Sequence, residues 1–430
     1  MITTTRMLVP AILLLAPVVQ AQSPASLEDM ERRLEQLEMQ QYDKNRNWSD
    51  RISVNGFMSY GITRHDVHVR DGNGDPIEYI DRTTDKVSHR ELSRAGVQFN
   101  ASISDQTSAT VQILARGKDH YDAEVQWAYL SHDLSPSVTM RAGRMVLPFF
   151  MHTQYNNVGY AYHWATLPGE AYDVVPFDTM EGVDLSWNVN TGPVSHRLNV
   201  YGGATDVPSF SLPAPVVYNV SDLTGINLTS QWRDWTSWLS YSHAEVSLDL
   251  SPLAVPLAED LGTTPDVVLP MLAEPVSLDD ANTYISSVGL QYDNGSLLLM
   301  AERTQLGIEG WFPTKWGGYV SAGYRFGKWL PHVTWGAANA HGVSDAADDG
   351  GLAVPFSQAN MVRSKSWTVG TRYELSPGIA VKLEAQRFYD MSNEKISTNG
   401  LFTPPGGTAM VPAIEEEEPT VYRLTIDAAF

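Results

Sequence analysis

The sequence predicts a transmembrane antiparallel β-barrel of about sixteen strands, with a loop folded into its lumen and a short helix ahead of the barrel. Three observations carry this. From Arg51 onward, apolar residues recur at every second position. The links between these segments alternate short and long. One long link, 145–181, reads MVLPFFMHTQYNNVGYAYHWATLPGEAYDVVPFDTME, aromatic throughout and acidic towards its end. A connection of that length inside a compact domain calls for a function.

The chain has 430 residues, a formal net charge of -21 and no cysteine. Disulfides, thiolate metal sites and a Cys nucleophile are therefore excluded. Mean hydropathy is -0.22, and no internal apolar run approaches the roughly 20 residues of a membrane-spanning helix. A β-barrel escapes that test, because only alternate residues face lipid. The excess of acid argues against nucleic acid as a partner, since phosphate contacts need a basic surface.

Residues 1–21 read as a signal peptide. Arg6 supplies the positive region, Met7–Val19 the apolar core, and Val19-Gln20-Ala21 a cleavage site before Gln22. Residues 22–47 contain the helical stretch Ser26–Gln41, which has no Pro, Gly or β-branched residue. Leu27, Met30, Leu34 and Leu37 fall three and four apart, an a/d seam. This is either a short coiled coil tying subunits together in the periplasm or a solitary amphipathic helix.

The barrel occupies 48–430. In 92–103, Ala95, Val97, Phe99, Ala101 and Ile103 alternate with Arg94, Gly96, Gln98, Asn100 and Ser102. The same pattern recurs at 108–116, 183–189, 369–374 and 422–430. Strands are expected at 51–64, 91–103, 107–116, 122–132, 137–144, 182–190, 194–203, 219–232, 235–247, 283–293, 296–306, 315–326, 329–337, 363–375, 378–390 and 420–430. Turns such as NTGP at Asn190, DNGS at Asp293 and SPG at Ser376 join them at one end. Long links at 65–90, 145–181, 204–218, 248–282, 338–362 and 391–419 join them at the other, with 117–121 a short exception. Such sorting marks outer-membrane barrels, with short periplasmic turns and long external loops. Tyr60, Trp127, Tyr129, Trp187, Trp232, Trp235, Trp329, Tyr373 and Tyr422 lie near strand ends, where aromatic girdles meet the membrane interface.

The last strand alternates apolar residues and ends on Phe430. It resembles the C-terminal signal of bacterial outer-membrane barrels that the barrel-assembly machinery reads. Signal peptide, strand number and terminal Phe together resemble the trimeric porins of Gram-negative bacteria. Gly143–Trp164 resembles a sequence common in porin-like proteins of marine and environmental proteobacteria, and the N-terminal helix resembles the coiled-coil extension of some sugar- and dicarboxylate-selective porins. The family's PEFGG-type loop motif is absent. The resemblance implies a homotrimer in the bacterial outer membrane, in contact with membrane lipid and lipopolysaccharide. It also implies that the third external loop, here 145–181, folds into the lumen and narrows it.

If the apolar face meets lipid, parity turns Arg94, Arg116 and Arg141 inward, with Arg90 and Arg144 near strand ends. Arg325, Arg372, Lys382 and Arg423 also point inward, as do the acids Glu124, Asp184, Glu374 and Glu384. In the porin family, wall arginines face acids on the inserted loop. The resemblance assigns that part here to Glu170, Asp173 and Asp178. Such a transverse field orients polar solutes and sorts ions. Alternatively, the arginines pair with Glu124, Asp184 and Glu374 and merely fill the lumen. The external loops are acidic, from Asp66–Asp85 to Glu415–Glu418, so mouth and wall favour opposite ions.

Asp71–Asp75 mimics the start of a calcium loop, but Pro76 and Arg82 stand where Gly and Glu are required, and no metal site or cofactor is expected. His152 and His163 in the inserted loop are either pH-sensitive elements or ordinary loop residues. No nucleophile motif such as GxSxG is present. The leading expectation is passive diffusion of small hydrophilic solutes and ions, favouring small anions such as carboxylates or phosphate. The competing readings are a non-selective diffusion pore, a barrel-embedded hydrolase and an envelope tether.

Overall fold

A computed structural model describes residues 51–68, 83–175, 177–209, 216–272, 277–310, 312–341, 363–391 and 418–430. The signal peptide, the helix over 22–47, the calcium-like segment and most of the acidic loop residues lie outside them. Among the described residues, sixteen antiparallel strands close into one barrel, each paired with its sequence neighbours and the first with the last. They are β1 (Ile52–His65), β2 (Arg94–Ser102), β3 (Thr107–Arg116), β4 (Ala123–Ser135), β5 (Val138–Val146), β6 (Thr179–Thr191), β7 (Val194–Ser209) and β8 (Val216–Trp232). The circuit continues with β9 (Trp235–Leu248), β10 (Leu278–Asp293), β11 (Leu297–Ile308), β12 (Thr314–Tyr324), β13 (Trp329–His341), β14 (Arg363–Ser376), β15 (Ile379–Tyr389) and β16 (Thr420–Ala429).

Period-two alternation explains the two surfaces. On β16, Tyr422 and Ile426 are 44% and 41% exposed on the outer face, whereas Arg423, Thr425 and Asp427 are buried inside. Val54, Val288, Val369 and Leu383 continue the exposed apolar band round the barrel. A band of this extent belongs in lipid rather than water, and closure leaves no strand edge unpaired. The barrel closes through Phe57↔Ala429 to His65↔Val421, and Phe430 exchanges main-chain hydrogen bonds with Gly56 (2.7 and 2.9 Å). Tight turns at the short-loop end place Gly295 and Gly378 at φ 86° and 81°, a region that favours glycine.

Two girdle assignments are corrected. A β-bulge on β4, opposite Gln112 and Ile113, inserts Gln126 and reverses the parity beyond it. Trp127 and Tyr129 therefore turn into the barrel, not out to the membrane interface, and lie 5.9 and 5.4 Å from the Arg141 guanidinium. Tyr60, Trp187, Trp232, Trp235, Trp329 and Tyr422 do lie on the exposed outer surface.

The segment between β5 and β6 crosses the interior. Near its base, Leu147, Phe149, Phe150, Val174 and Val175 pack with Tyr201, Val220 and Leu223 of the β7–β8 wall. Further on, Met151, Tyr162, Trp164 and Ala171 pack against Trp238, Met300, Tyr319 and Leu330. It holds two 3-10 turns, Thr153–Tyr155 and Gly159–Ala161, and one helical turn, Gly169–Tyr172.

Candidate functional site

The inserted loop is fastened to the β11–β16 wall by buried charge. Lys382 donates to the main-chain oxygens of Gly159 (2.5 Å) and Trp164 (2.7 Å) and pairs with Asp427 at 3.0 Å. Arg372 donates to the carbonyls of Tyr160 (2.7 Å) and Tyr162 (3.0 Å) and pairs with Glu374 at 3.0 Å. Glu384 accepts from the Ala165 N–H (2.9 Å), with His332 3.6 Å away. Glu302 accepts from the Met151 N–H (2.8 Å) and the Tyr172 hydroxyl (2.7 Å). Trp164 Nε1 donates to Thr334 (2.8 Å). Buried carbonyls and N–H groups of a non-repetitive segment need such partners, because a buried backbone polar group left unpaired is costly.

Glu170 belongs to this seam. It does not face the wall arginines of β2–β5. Ser366 donates to its carboxylate, Gln386 Nε2 lies 3.3 Å away, and burial pushes the carboxyl above its ordinary range. Its main chain fits only because Gly317 has no side chain; a Cβ there would stand 1.6 Å from the Glu170 oxygen. Arg423 donates to Gln386 Oε1 (2.6 Å) and is buried. His152 and His163 are buried in the same packing, and burial lowers both, His152 to about 3.

Across the interior, the other expected residues converge. Arg94 and Arg116 are direct cross-strand partners on β2 and β3. With Lys118 they line a cavity of about 320 Å³ whose loop side carries Asp173 and Asp178. Arg94 donates to the Tyr162 hydroxyl (2.5 Å); Arg116 binds Asp119 (2.8 Å) and Glu124. Asp178 accepts from Asn156 (2.9 Å) and Gln126 (3.2 Å). Deeper on the wall, Arg141 pairs with the buried Asp184 at 2.7 Å. Arg90 pairs with its neighbour Glu91 at 3.0 Å at the rim. Arg325 makes a two-pronged pair with Asp293 (2.6 and 2.8 Å) near the short-turn end.

Arg144 is placed otherwise than parity near the strand end suggested. It stands three residues from the inward Arg141 on an unbroken strand, so it faces out. Its register partners are Ala128 and Glu181, and Glu181 is its ion-pair partner on the outer surface. Glu302, His332 and Asp427 were not singled out in the sequence. Alternation on β11, β13 and β16 marks them as inward, but nothing local says that a loop comes to meet them.

No protein-family model matches the chain. No curated protein matches it in sequence. Among solved structures, it is similar to OmpF of Salmonella typhi in complex with daunomycin (TM-score 0.56, 11% identity, covering 88% of this chain and 97% of that one). It is also similar to the outer-membrane channel DcaP of Acinetobacter baumannii (TM-score 0.54, 11% identity, 88% and 97% covered). A third is the anion-selective porin from Comamonas acidovorans (TM-score 0.50, 12% identity, 88% and 99% covered). At such identities the likeness is one of backbone architecture. The chain has the closed, sixteen-stranded barrel fold of the Gram-negative outer-membrane porins.

Proposed function

We propose that the protein is a bacterial outer-membrane porin, a channel and not an enzyme, that passes small hydrophilic solutes and ions through the cleft between its inserted loop and the β2–β5 wall. One observation carries this reading: Arg94, Arg116 and Lys118 share a cavity with Asp173 and Asp178 of the loop. Opposite charges across a narrow aqueous gap set up a transverse field that orients solutes and discriminates ions. Guanidinium forks suit small carboxylates and phosphate, so a preference for small anions is the finer part of the proposal.

A second reading, a weakly selective diffusion pore, is favoured by the partners of the wall arginines. Arg116 meets Asp119 and Glu124, and Arg141 meets Asp184. Neutralised arginines shape the pore more than they charge it. A homotrimer tied by the heptad seam of 22–47, inserted by machinery that reads Phe430, completes the proposal.

The test is the reversal potential of the purified protein in a planar bilayer under a salt gradient. Changing Arg94→Glu and Arg116→Glu together moves the permeability ratio towards cations. An unchanged ratio means that neither faces the ion path. Absence of conductance in the unmodified protein overturns the channel reading altogether.

A further inference from the structure

Tyr162 stands where two cavities meet. One is the charged cavity of about 320 Å³ beside Arg94 and Arg116. The other, of about 550 Å³, lies between the loop and the short-turn ends of β10–β14. Tyr162 is the one described residue that lines both, and it is buried, 4% exposed. Its two ends are held by different walls. The main-chain oxygen accepts from Arg372 of β14 (3.0 Å). The side-chain hydroxyl accepts from Arg94 of β2 (2.5 Å) and donates to the Asn156 main-chain oxygen (3.0 Å). The ring is thus a partition whose far edge is fastened to β2 by one hydrogen bond.

That fastening is the weaker of the two. On the other side, Arg372 and Lys382 each donate to two loop carbonyls. On β2, Arg94 meets a single neutral hydroxyl. Among the described residues no carboxylate is in ion-pair contact with Arg94, and its Nε is buried without a hydrogen-bond partner. Its register partner Arg116, by contrast, is matched by Asp119 and Glu124. Arg94 therefore lines the charged cavity with donors to spare. A carboxylate or phosphate meets a guanidinium through two parallel charge-assisted bonds, where the phenol offers one neutral acceptor. An oxyanion bound there takes the donor that holds Tyr162.

We propose that Tyr162 is a gate between the two cavities, latched to the wall by Arg94 and released when a small oxyanion takes the Arg94 guanidinium. The structure holds the latched state. In the released state the ring leaves β2 and the cavities join. The inference rests on the channel reading and deepens its anion preference, since the anion opens the path that it then enters. A ligand shifts such an equilibrium only by its preference for one state, and here that preference is for an Arg94 free of Tyr162.

The experiment is single-channel recording of the full chain in a planar bilayer in chloride salt, with inorganic phosphate added at constant ionic strength. The unmodified channel is expected to alternate between a low and a high conductance level, and phosphate to raise the share of time at the high level. Arg94→Met removes the latch and leaves the Asn156 bond in place. Tyr162→Phe removes the hydroxyl and keeps the ring. Each change raises the high-to-low ratio roughly tenfold to a hundredfold without phosphate, the scale of one hydrogen bond to a charged group. In each, phosphate then adds nothing. A phosphate response that survives in either variant overturns the release mechanism, and unmodified occupancies in both overturn the latch. An unmodified channel that stays at one level with and without phosphate overturns the inference and leaves the channel standing. No conductance at all, with phosphate present, overturns both.

Discussion

Replacing Lys382 with Met removes the ammonium that holds the inserted loop. Lys382 is fully buried, and so is its partner Asp427. The change deletes two charge-assisted hydrogen bonds to Gly159 and Trp164 carbonyls, each worth about 1.5–3 kcal/mol. It also leaves the Asp427 carboxylate without its ammonium, though the Thr425 hydroxyl still donates to it at 2.9 Å, and removing one member of a buried pair costs about 3–5 kcal/mol. These figures overlap, so we take about 4 kcal/mol as the penalty on the docked loop. That is nearly a thousandfold in the docked-to-undocked ratio, at about 1.4 kcal/mol per tenfold.

The barrel itself survives, because its strands satisfy one another's backbone groups. The expected phenotype is a folded, membrane-inserted protein whose single-channel current is noisy and larger on average. Changing Asp427→Leu in the same protein removes the stranded charge and restores roughly half of the lost stability, since replacing both members of a buried pair is far milder than removing one. Wild-type conductance, noise and heat stability in Lys382→Met refute the clamp. So does strict additivity of the two changes in a double-mutant cycle.

Further outcomes are expected. Deleting Thr153–Gly169 raises conductance, and equal conductance means the loop does not narrow the path. Gly317→Ala forces a Cβ to within 1.6 Å of the Glu170 carbonyl; overpacking of this kind costs about 1–3 kcal/mol and is read as a lower unfolding temperature, with no shift counting against the close approach. Arg144→Ala leaves ion selectivity unchanged and stability within about 1 kcal/mol, as for exposed pairs, because its partner Glu181 lies on the outer face; altered selectivity contradicts that placement. The docked loop also loses stability in acid: His152 falls from 6.5 to about 3 on burial, so its contribution is complete above 6.5 and is lost as pH drops towards 3. Glu170 has the opposite sign: its raised value makes its contribution complete below 4.5 and lost as pH rises through the folded value. Current noise against pH reads both, with His152→Phe flattening the rise on acidification and Glu170→Gln the rise as pH climbs above 4.5; unchanged limbs reject the assignment.

The strands were legible because a two-sided wall writes its period into the sequence. The expected 107–116 and Thr107–Arg116 coincide, and 182–190 lies within Thr179–Thr191. β7 runs on to Ser209, past the expected end at 203, where Ala204 and Thr205 blur the alternation. Parity also found Arg94, Arg116 and Arg141. It failed at Trp127 and Tyr129, where a bulge added one residue, and for Arg144, where position near a strand end stood in for counting. The loop's docking wall was illegible for a deeper reason. Glu170 meets Ser366 and Gln386 across 196 and 216 residues of sequence, and no local pattern encodes a contact of that separation.

That docking gives inward charges two roles, and burial separates them. Lys382, Asp427, Glu384 and Glu302 are buried, touch loop main chain or one another, and are out of reach of passing ions. Arg116, Glu124, Arg325 and Asp293 keep part of their surface open to the lumen. Charges of the first kind act on the channel through the loop's position, so their loss changes conductance and noise together with stability. On the proposed channel reading, charges of the second kind meet the solute directly, so their loss is expected to change selectivity while the barrel's unfolding stays put. The loop can lie against one wall without filling the lumen because the β11–β16 side satisfies its backbone. The charged cavity towards β2–β5 lies on the loop's other flank, bounded where Arg94 meets Tyr162 and Gln126 meets Asp178, and on the proposed channel reading its width is expected to follow from how firmly the opposite seam is held.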